Sequence, residues 1–268
     1  IRKRREKRIA KKKIRVVCDT GIWYVRLSKE IEATNLTLTQ ISAHELATTK
    51  NLNGKKKYEE RARLAIQQMM RKSKTQLFLD PFNFMIGKGD PEEPIQVRER
   101  IPDLLMFLQL FANGRIIDPA QADNWEVFRM ESESGVKRWA DTLNKMLESI
   151  RPNVGDPSKR KKDTDKNPHI FRMLIASMVS GEIRRPVTVD DIDWKRFELF
   201  ETVGRNFITD LETTNKTVEP NDFYDLWMLV YVGPGDLYWV HEKYWKELIL
   251  KCGMRKYLYE RPFLFCNK

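Results

Sequence analysis

Asn221 to Lys243 reads NDFYDLWMLVYVGPGDLYWVHEK, and the fold turns on how this stretch is parsed. Leu226, Leu229, Val230 and Val232 supply the apolar side of a helix on which Asp222 and Asp225, three residues apart, share a face. Gly233-Pro234-Gly235 stops that helix. Leu237 to Val240 is an apolar and aromatic run too short for a helix, so it reads as a buried strand, and it ends on the charged His241-Glu242-Lys243. Carboxylates at a helix start and at a strand end can converge in space.

Working outward, Ile14 to Cys18 (IRVVC) is a second apolar strand, again ending at an acid, Asp19. Thr20 to Tyr24 turns into a short helix, and Thr37 to Ile41 alternates as a further strand. A helix carrying His44, Glu45 and Leu46 follows; with Ser42 as its cap, Glu45 falls at the capping-box position, which offers that glutamate a purely structural role. Lys55 to Arg71 has a helical apolar stripe, and Thr75 to Asp80 is a strand closed by Pro81. Asp80 is therefore one more acid at a strand end, with a structural role favoured. Gly87 to Pro94 is a loop whose glycine and lysine spacing is not that of a phosphate-binding loop.

The middle of the chain has a different pattern. Helices are expected at Arg98–Ala112, Pro119–Arg151 (with Gly135 as an interruption), His169–Ser180 and Asp191–Thr213, with a charged linker from Pro152 to Pro168. Strand-bearing segments flank this block on both sides. The expected fold is α/β, a parallel sheet flanked by helices: a single domain over residues 14–268 with a large central helical insertion at about 95–215.

Composition narrows the chemistry. Three histidines and three cysteines, without metal-type spacing, leave little for zinc or Ser-His-Asp catalysis, so hydrolysis must rest on carboxylates. The odd cysteine count fits buried thiols in a reducing, cytoplasmic setting. No apolar run is long enough to span a membrane, and the basic start lacks the apolar core of a secretory signal. Of the net charge of +11, residues 1–13 carry +8. That segment suits contact with a nucleic-acid backbone, or equally a solvated end.

Acids beyond the carboxyl ends of parallel strands lie where open α/β sheets bind ligands. Packed together they repel one another unless a cation compensates, and Mg²⁺ or Mn²⁺ does so with oxygen ligands. Four segments carry the pattern: VVCDTGIW with Asp19, TQISAHEL with Glu45, NDFYDL with Asp225 or Asp222, and YWVHEK with Glu242. In this order they resemble the PIN-domain metal-dependent nucleases, over roughly residues 14–80 and 218–258. Val240 and Glu242 depart from the Thr-x-Asp-Lys of that family's last motif, and the helical insertion exceeds its minimal form.

The resemblance implies a PIN-like sheet and an endoribonuclease that hydrolyses phosphodiester bonds. It implies Mg²⁺ or Mn²⁺ held by Asp19, Glu45 and Asp225, with Glu242 completing the site and Asp222 as a further ligand, outer partner or cap. These carboxylates should then share one metal shell at about 2.0–2.6 Å. Thr20, His241 and Lys243 would meet the substrate, and Arg4 and Arg5 of the basic segment would hold the RNA backbone. Relatives that act as toxins or defence effectors make such a role, and an inhibitory or effector-complex protein partner, further expectations. Two alternatives stand beside it: a catalytically degenerate PIN-like module binding RNA or protein, and a helical scaffold whose acids only cap or face solvent.

Overall fold

A computed structural model describes residues 14–25, 27, 35–49, 52, 56–77, 79–87, 104, 106–113, 119–150, 168–214 and 216–260. Residues 1–13 with Arg4 and Arg5, most of the 87–94 loop, the 152–167 linker and Cys266 lie outside the described residues. In chain order the elements are β1 (Arg15–Cys18), α1 (Thr20–Trp23), β2 (Asn35–Thr39), α2 (Gln40–Thr48), α3 (Lys56–Lys72), β3 (Thr75–Leu77), α4 (Pro81–Ile86), α5 (Pro119–Ile150), α6 (Pro168–Ile183), α7 (Glu198–Thr213), α8 (Pro220–Met228), β4 (Leu237–Trp239) and α9 (Lys243–Lys251). Residues 106–112 are also helical.

The strands form one sheet in the order β3-β2-β1-β4, and every pairing is parallel. Val17 stands opposite both Thr37 and Tyr238, which makes β1 a central strand. Parallel sheets need both faces covered, and the period-two alternation of each strand serves two cores here. Val16, Cys18, Leu36, Leu38 and Trp239 face the first core, with Ala62, Ile66 and Met69 of α3. Val17 and Tyr238 face the second, with Leu143 of α5, Phe171 of α6, Val203 of α7 and Trp227 of α8. The central helices thus share a core with the sheet rather than standing apart from it.

Helix α5 contributes to both cores, as α2 does through Ile41 and Leu46. Trp125 near its start is buried in the first core, whereas Ala140, Leu143 and Leu147 are buried in the second. Its 32 residues extend ~48 Å at the standard helical rise, enough to pass from one side of the sheet to the other.

Several boundaries depart from expectation for identifiable reasons. The second strand ends at Thr39 rather than Ile41, because the Thr39 hydroxyl accepts from the Ser42 amide and starts α2 at Gln40. Gly135 does not interrupt α5. The last central helix begins at Glu198, not Asp191: the Asp191 carboxylate accepts from the Thr188 amide at 2.7 Å and the Trp194 indole donates to the Val189 carbonyl at 2.9 Å, which closes tight turns instead. The strand at Thr75 is shorter than expected and stops at Leu77.

Candidate acidic site at the sheet switch point

From β1 the chain moves to β2 and β3 on one side, then crosses back to place β4 on the other. The point where strand order reverses is therefore between β1 and β4, the position at which open α/β sheets form a ligand crevice beyond their carboxyl ends. Asp19 and the His241-Glu242 pair follow those two strands directly. The Asp19 amide extends the pairing by donating to the Trp239 carbonyl at 3.0 Å. In return the His241 amide donates to the Asp19 carboxylate at 2.9 Å. Asp19 is thereby buried, 6% exposed, and aimed across the switch point.

Glu45 reaches the same place through a small set of polar ties. Because Thr39 rather than Ser42 caps α2, Glu45 is not engaged in a capping box. The Ser42 hydroxyl, one turn before Glu45, donates to the carbonyl of Cys18 at 3.0 Å and so fixes α2 against the residue preceding Asp19. The Thr39 hydroxyl also contacts Met228 Sδ at 3.2 Å, which ties the start of α2 to the last turn of α8. Asp225 lies one turn before Met228 on α8. Thr39 and Ser42 are thus positioning residues that sequence reasoning took for strand and cap; only the hydroxyls themselves signalled them.

The two helix acids separate cleanly. Asp222 Oδ2 accepts from the Glu219 amide at 2.8 Å and completes a capping box on α8, the capping role left open by the sequence. Asp225, half-buried, has no such engagement. Glu242 precedes α9 but makes no side-chain cap, so its exposed carboxylate is also uncommitted. Asp80 and Asp236 are committed elsewhere: Asp80 caps α4 through the Phe82 and Asn83 amides, and Asp236 binds the Gly233 amide and the Arg15 guanidinium. Lys243 is solvent-facing, with Glu247 at 3.6 Å.

Electrostatics show that Asp19, Glu45, Asp225 and Glu242 share one environment. Burial, then the charges of Asp19, Glu242, Glu45 and Asp222, push the Asp225 carboxyl up to about 9. Burial raises Glu45 to about 7, relieved slightly by the Thr20 hydroxyl and reinforced by Asp19 and Glu242. Burial also raises Asp19, opposed chiefly by the His241 amide. Glu242 is raised by burial and by Asp19 and Asp222, and lowered by His241. Beneath them the buried Tyr238 hydroxyl is pushed up by burial and by all four acids. Among the described residues no lysine or arginine forms an ion pair with any of the four.

This donor set fits a hard divalent cation by its chemistry: oxygen ligands that raise one another's pKa and have no basic partner among the described residues. Among the described residues, however, no three acidic, histidine or cysteine side chains already stand close enough to share one ion. The shared shell expected from the sequence is therefore not formed in this structure. Mutual repulsion of uncompensated carboxylates is the physical reason for side chains to stay apart until a cation draws them together.

A cleft of about 370 Å³ opens onto Thr20 and Glu45 between α2, α5 and α8. Tyr24 and Tyr224 flank it, and Arg129, Ser132 and Lys137 contribute the α5 wall. Ser132 Oγ holds α5 in place, 3.4 Å from both the Tyr224 hydroxyl and His44 Nδ1. Gly21 is required beside it: a Cβ there would come within 2.7 Å of the His241 Cβ and ring. Comparison of the chain with known protein-family models, with curated proteins and with solved structures gives no match. The site must accordingly be judged on its own geometry.

Proposed function

We propose that this chain is a metal-dependent nuclease of PIN type, most simply an endoribonuclease. The observation that carries the proposal is that four carboxylates without a basic partner among the described residues, from segments as far apart as Asp19 and Glu242, feel one another's charge at the switch point of a parallel sheet. Asp19 is buried and Glu45 and Asp225 are half-buried, so their like charges are unfavourable on their own, and a bound cation is the usual compensation. Asp19, Glu45 and Asp225 would hold Mg²⁺ or Mn²⁺, with Glu242 at the open rim. When bound, such an ion supplies an activated water and screens charge developing on the phosphoryl oxygens.

The residues of the chain do the rest. Asp19 is oriented by the His241 amide, so it needs little reorganisation. Asp225, pushed up to about 9, holds its proton at neutral pH and Glu45, pushed up to about 7, holds one part of the time, until a bound cation displaces them. The Thr20 hydroxyl lies beside Glu45 in the cleft lining and steadies its charged form. Water adds to phosphorus and the P–O bond to the leaving nucleoside breaks. RNA is the proposed substrate by resemblance, with the 1–13 segment as backbone contact.

The test is cleavage of a labelled single-stranded RNA and its DNA counterpart with Mg²⁺ or Mn²⁺, with Asp19→Asn and Asp225→Asn as controls. Metal-dependent cutting abolished by either substitution is expected; a wild-type chain that cuts neither polymer ends the catalytic proposal. The exposure of Glu242 and the unformed shell favour a second reading, a non-catalytic PIN-like module. RNA binding that is insensitive to Mn²⁺ and to Asp225→Asn would support it.

A further inference from the structure

The helix that crosses the sheet is α5, and the stretch between its two buried anchors, Trp125 and Ala140, lines the cleft that also holds Thr20 and Glu45. Two cations on that stretch, Arg129 and Lys137, line the same cleft as Thr20 and Glu45. They are not equivalent. Arg129 is held by both neighbouring glutamates, with Nε on Glu126 at 3.0 Å and Nη1 on Glu133 at 2.8 Å. Its charge is already balanced. Lys137 forms no ion pair among the described residues and is exposed.

The backbone beneath Lys137 is fixed on both sides. Ser132 touches Tyr224 and His44, and Asn144 clamps the strand-like approach to α8 by donating to the Val218 carbonyl at 3.0 Å and accepting from the Val218 amide at 2.7 Å. An exposed cation on the wall of the cleft that also holds Glu45 can take up the charge of an anionic chain on one side while its reacting group meets the acid on the other. A cleft of about 370 Å³ falls in the range of small-molecule sites, which suits part of a single strand.

We propose that Lys137 is a substrate-positioning residue: its ammonium group contacts a backbone phosphate of a single strand lying in the cleft that α5 shares with Thr20 and Glu45, which makes the central helical block one wall of the site. This rests on the nucleic-acid reading of that site, and the experiment separates the two. Binding of a labelled oligouridylate to the full chain is measured in EDTA over a range of salt, and KM and kcat with Mn²⁺. The proteins compared are wild type, Lys137→Gln, Lys137→Arg and Lys145→Gln, the last an exposed lysine of α5 that does not line the cleft.

Lys137→Gln should weaken binding several-fold, flatten the salt dependence by ~0.7 in logarithmic slope, the loss of one phosphate contact, and raise KM more than it lowers kcat. Lys137→Arg should restore all three, and Lys145→Gln should change none. An unchanged slope in Lys137→Gln, an equal effect of Lys145→Gln, or a wild-type chain that binds no single strand overturns the proposal. A chain that cuts nothing but shows the Lys137-dependent slope removes the nuclease reading and keeps this contact. A chain that cuts RNA with an indifferent Lys137 does the reverse.

Discussion

Two aspartates of this chain follow strands and look alike in sequence, yet they sit in opposite circumstances. Asp80 follows edge strand β3 and is saturated by its own neighbours: the Phe82 amide at 3.0 Å, the Asn83 amide at 2.9 Å and the Asn83 side chain at 2.7 Å. Asp19 follows central strand β1, and its carboxylate accepts from the His241 amide on the far side of the switch point while sharing its surroundings with three other acids. The local signal is the same apolar run ending in Asp. What separates cap from candidate ligand is topology: an edge strand ends beside its own helix, whereas a strand at the reversal point ends facing another segment's acid.

The sharpest way to break this comparison is to neutralise one member of each group. Asp225→Asn should lower metal-dependent cleavage at least ~100-fold, beyond the usual cost of outer-shell changes, and Asp80→Ala should leave it intact; equal losses would erase the distinction. Stability separates the two further. Asp225 in the folded chain titrates at about 9 against an ordinary carboxyl value of 3.8. The folded state therefore binds the extra proton between those values. Its stabilising contribution is complete below the lower value and is lost as pH rises toward the upper one. Without metal at pH 7.5, Asp225→Asn should accordingly melt no lower than wild type, which distinguishes lost chemistry from lost folding.

The next prediction concerns the proton cost of metal binding. Because Glu45 and Asp225 must shed protons to ligate, with pKa values of about 7 and about 9, the apparent Mn²⁺ affinity should rise with pH across that interval. A change of up to ~10-fold per pH unit is expected for each proton displaced. Calorimetry in buffers of different ionisation enthalpy would check it; a pH-independent affinity would mean the ion, if bound, uses other ligands.

Two smaller effects sharpen the contrast locally. Gly21→Ala drives a methyl into His241 and should cost ~1–3 kcal/mol by overpacking, with reduced cleavage because the Asp19–His241 link moves. Thermal melting together with the cleavage rate checks it, and a variant with wild-type values in both would show that the contact yields easily. Asp80→Ala removes a cap and should cost ~1 kcal/mol, or ~2–4 °C of melting temperature in a chain of this size. A change in Mn²⁺ affinity in that variant would place Asp80 with the wrong group.

The legibility of the molecule follows the same line between local and non-local. Strands β1 and β4 were readable because IRVVC and LYWV are short apolar runs bounded by charge, and α3 because its apolar residues recur at helical spacing. The parallel sheet followed from strands separated by helices. Thr39 as the cap of α2 was not readable, since Thr39 and Ser42 are both good caps and the choice is settled by Ser42 reaching the Cys18 carbonyl from another strand. The turns at 189–197 escaped because they depend on side chains, Asp191 and Trp194, folding back on the backbone. The four acids could be nominated one by one from their places at strand and helix ends. Their convergence, and the passage of α5 along the cleft that holds Glu45, depend on packing that no single segment encodes.

One consequence of the β1–β4 pairing belongs to time rather than space. Val16, Val17 and Cys18 pair with Leu237, Tyr238 and Trp239, so the central strand waits for a partner made more than two hundred residues later. Contacts of such separation form late, after most of the chain has been synthesised. During translation Asp19 and Glu45 exist without Asp225 and Glu242, and the nascent chain carries only half of its acids.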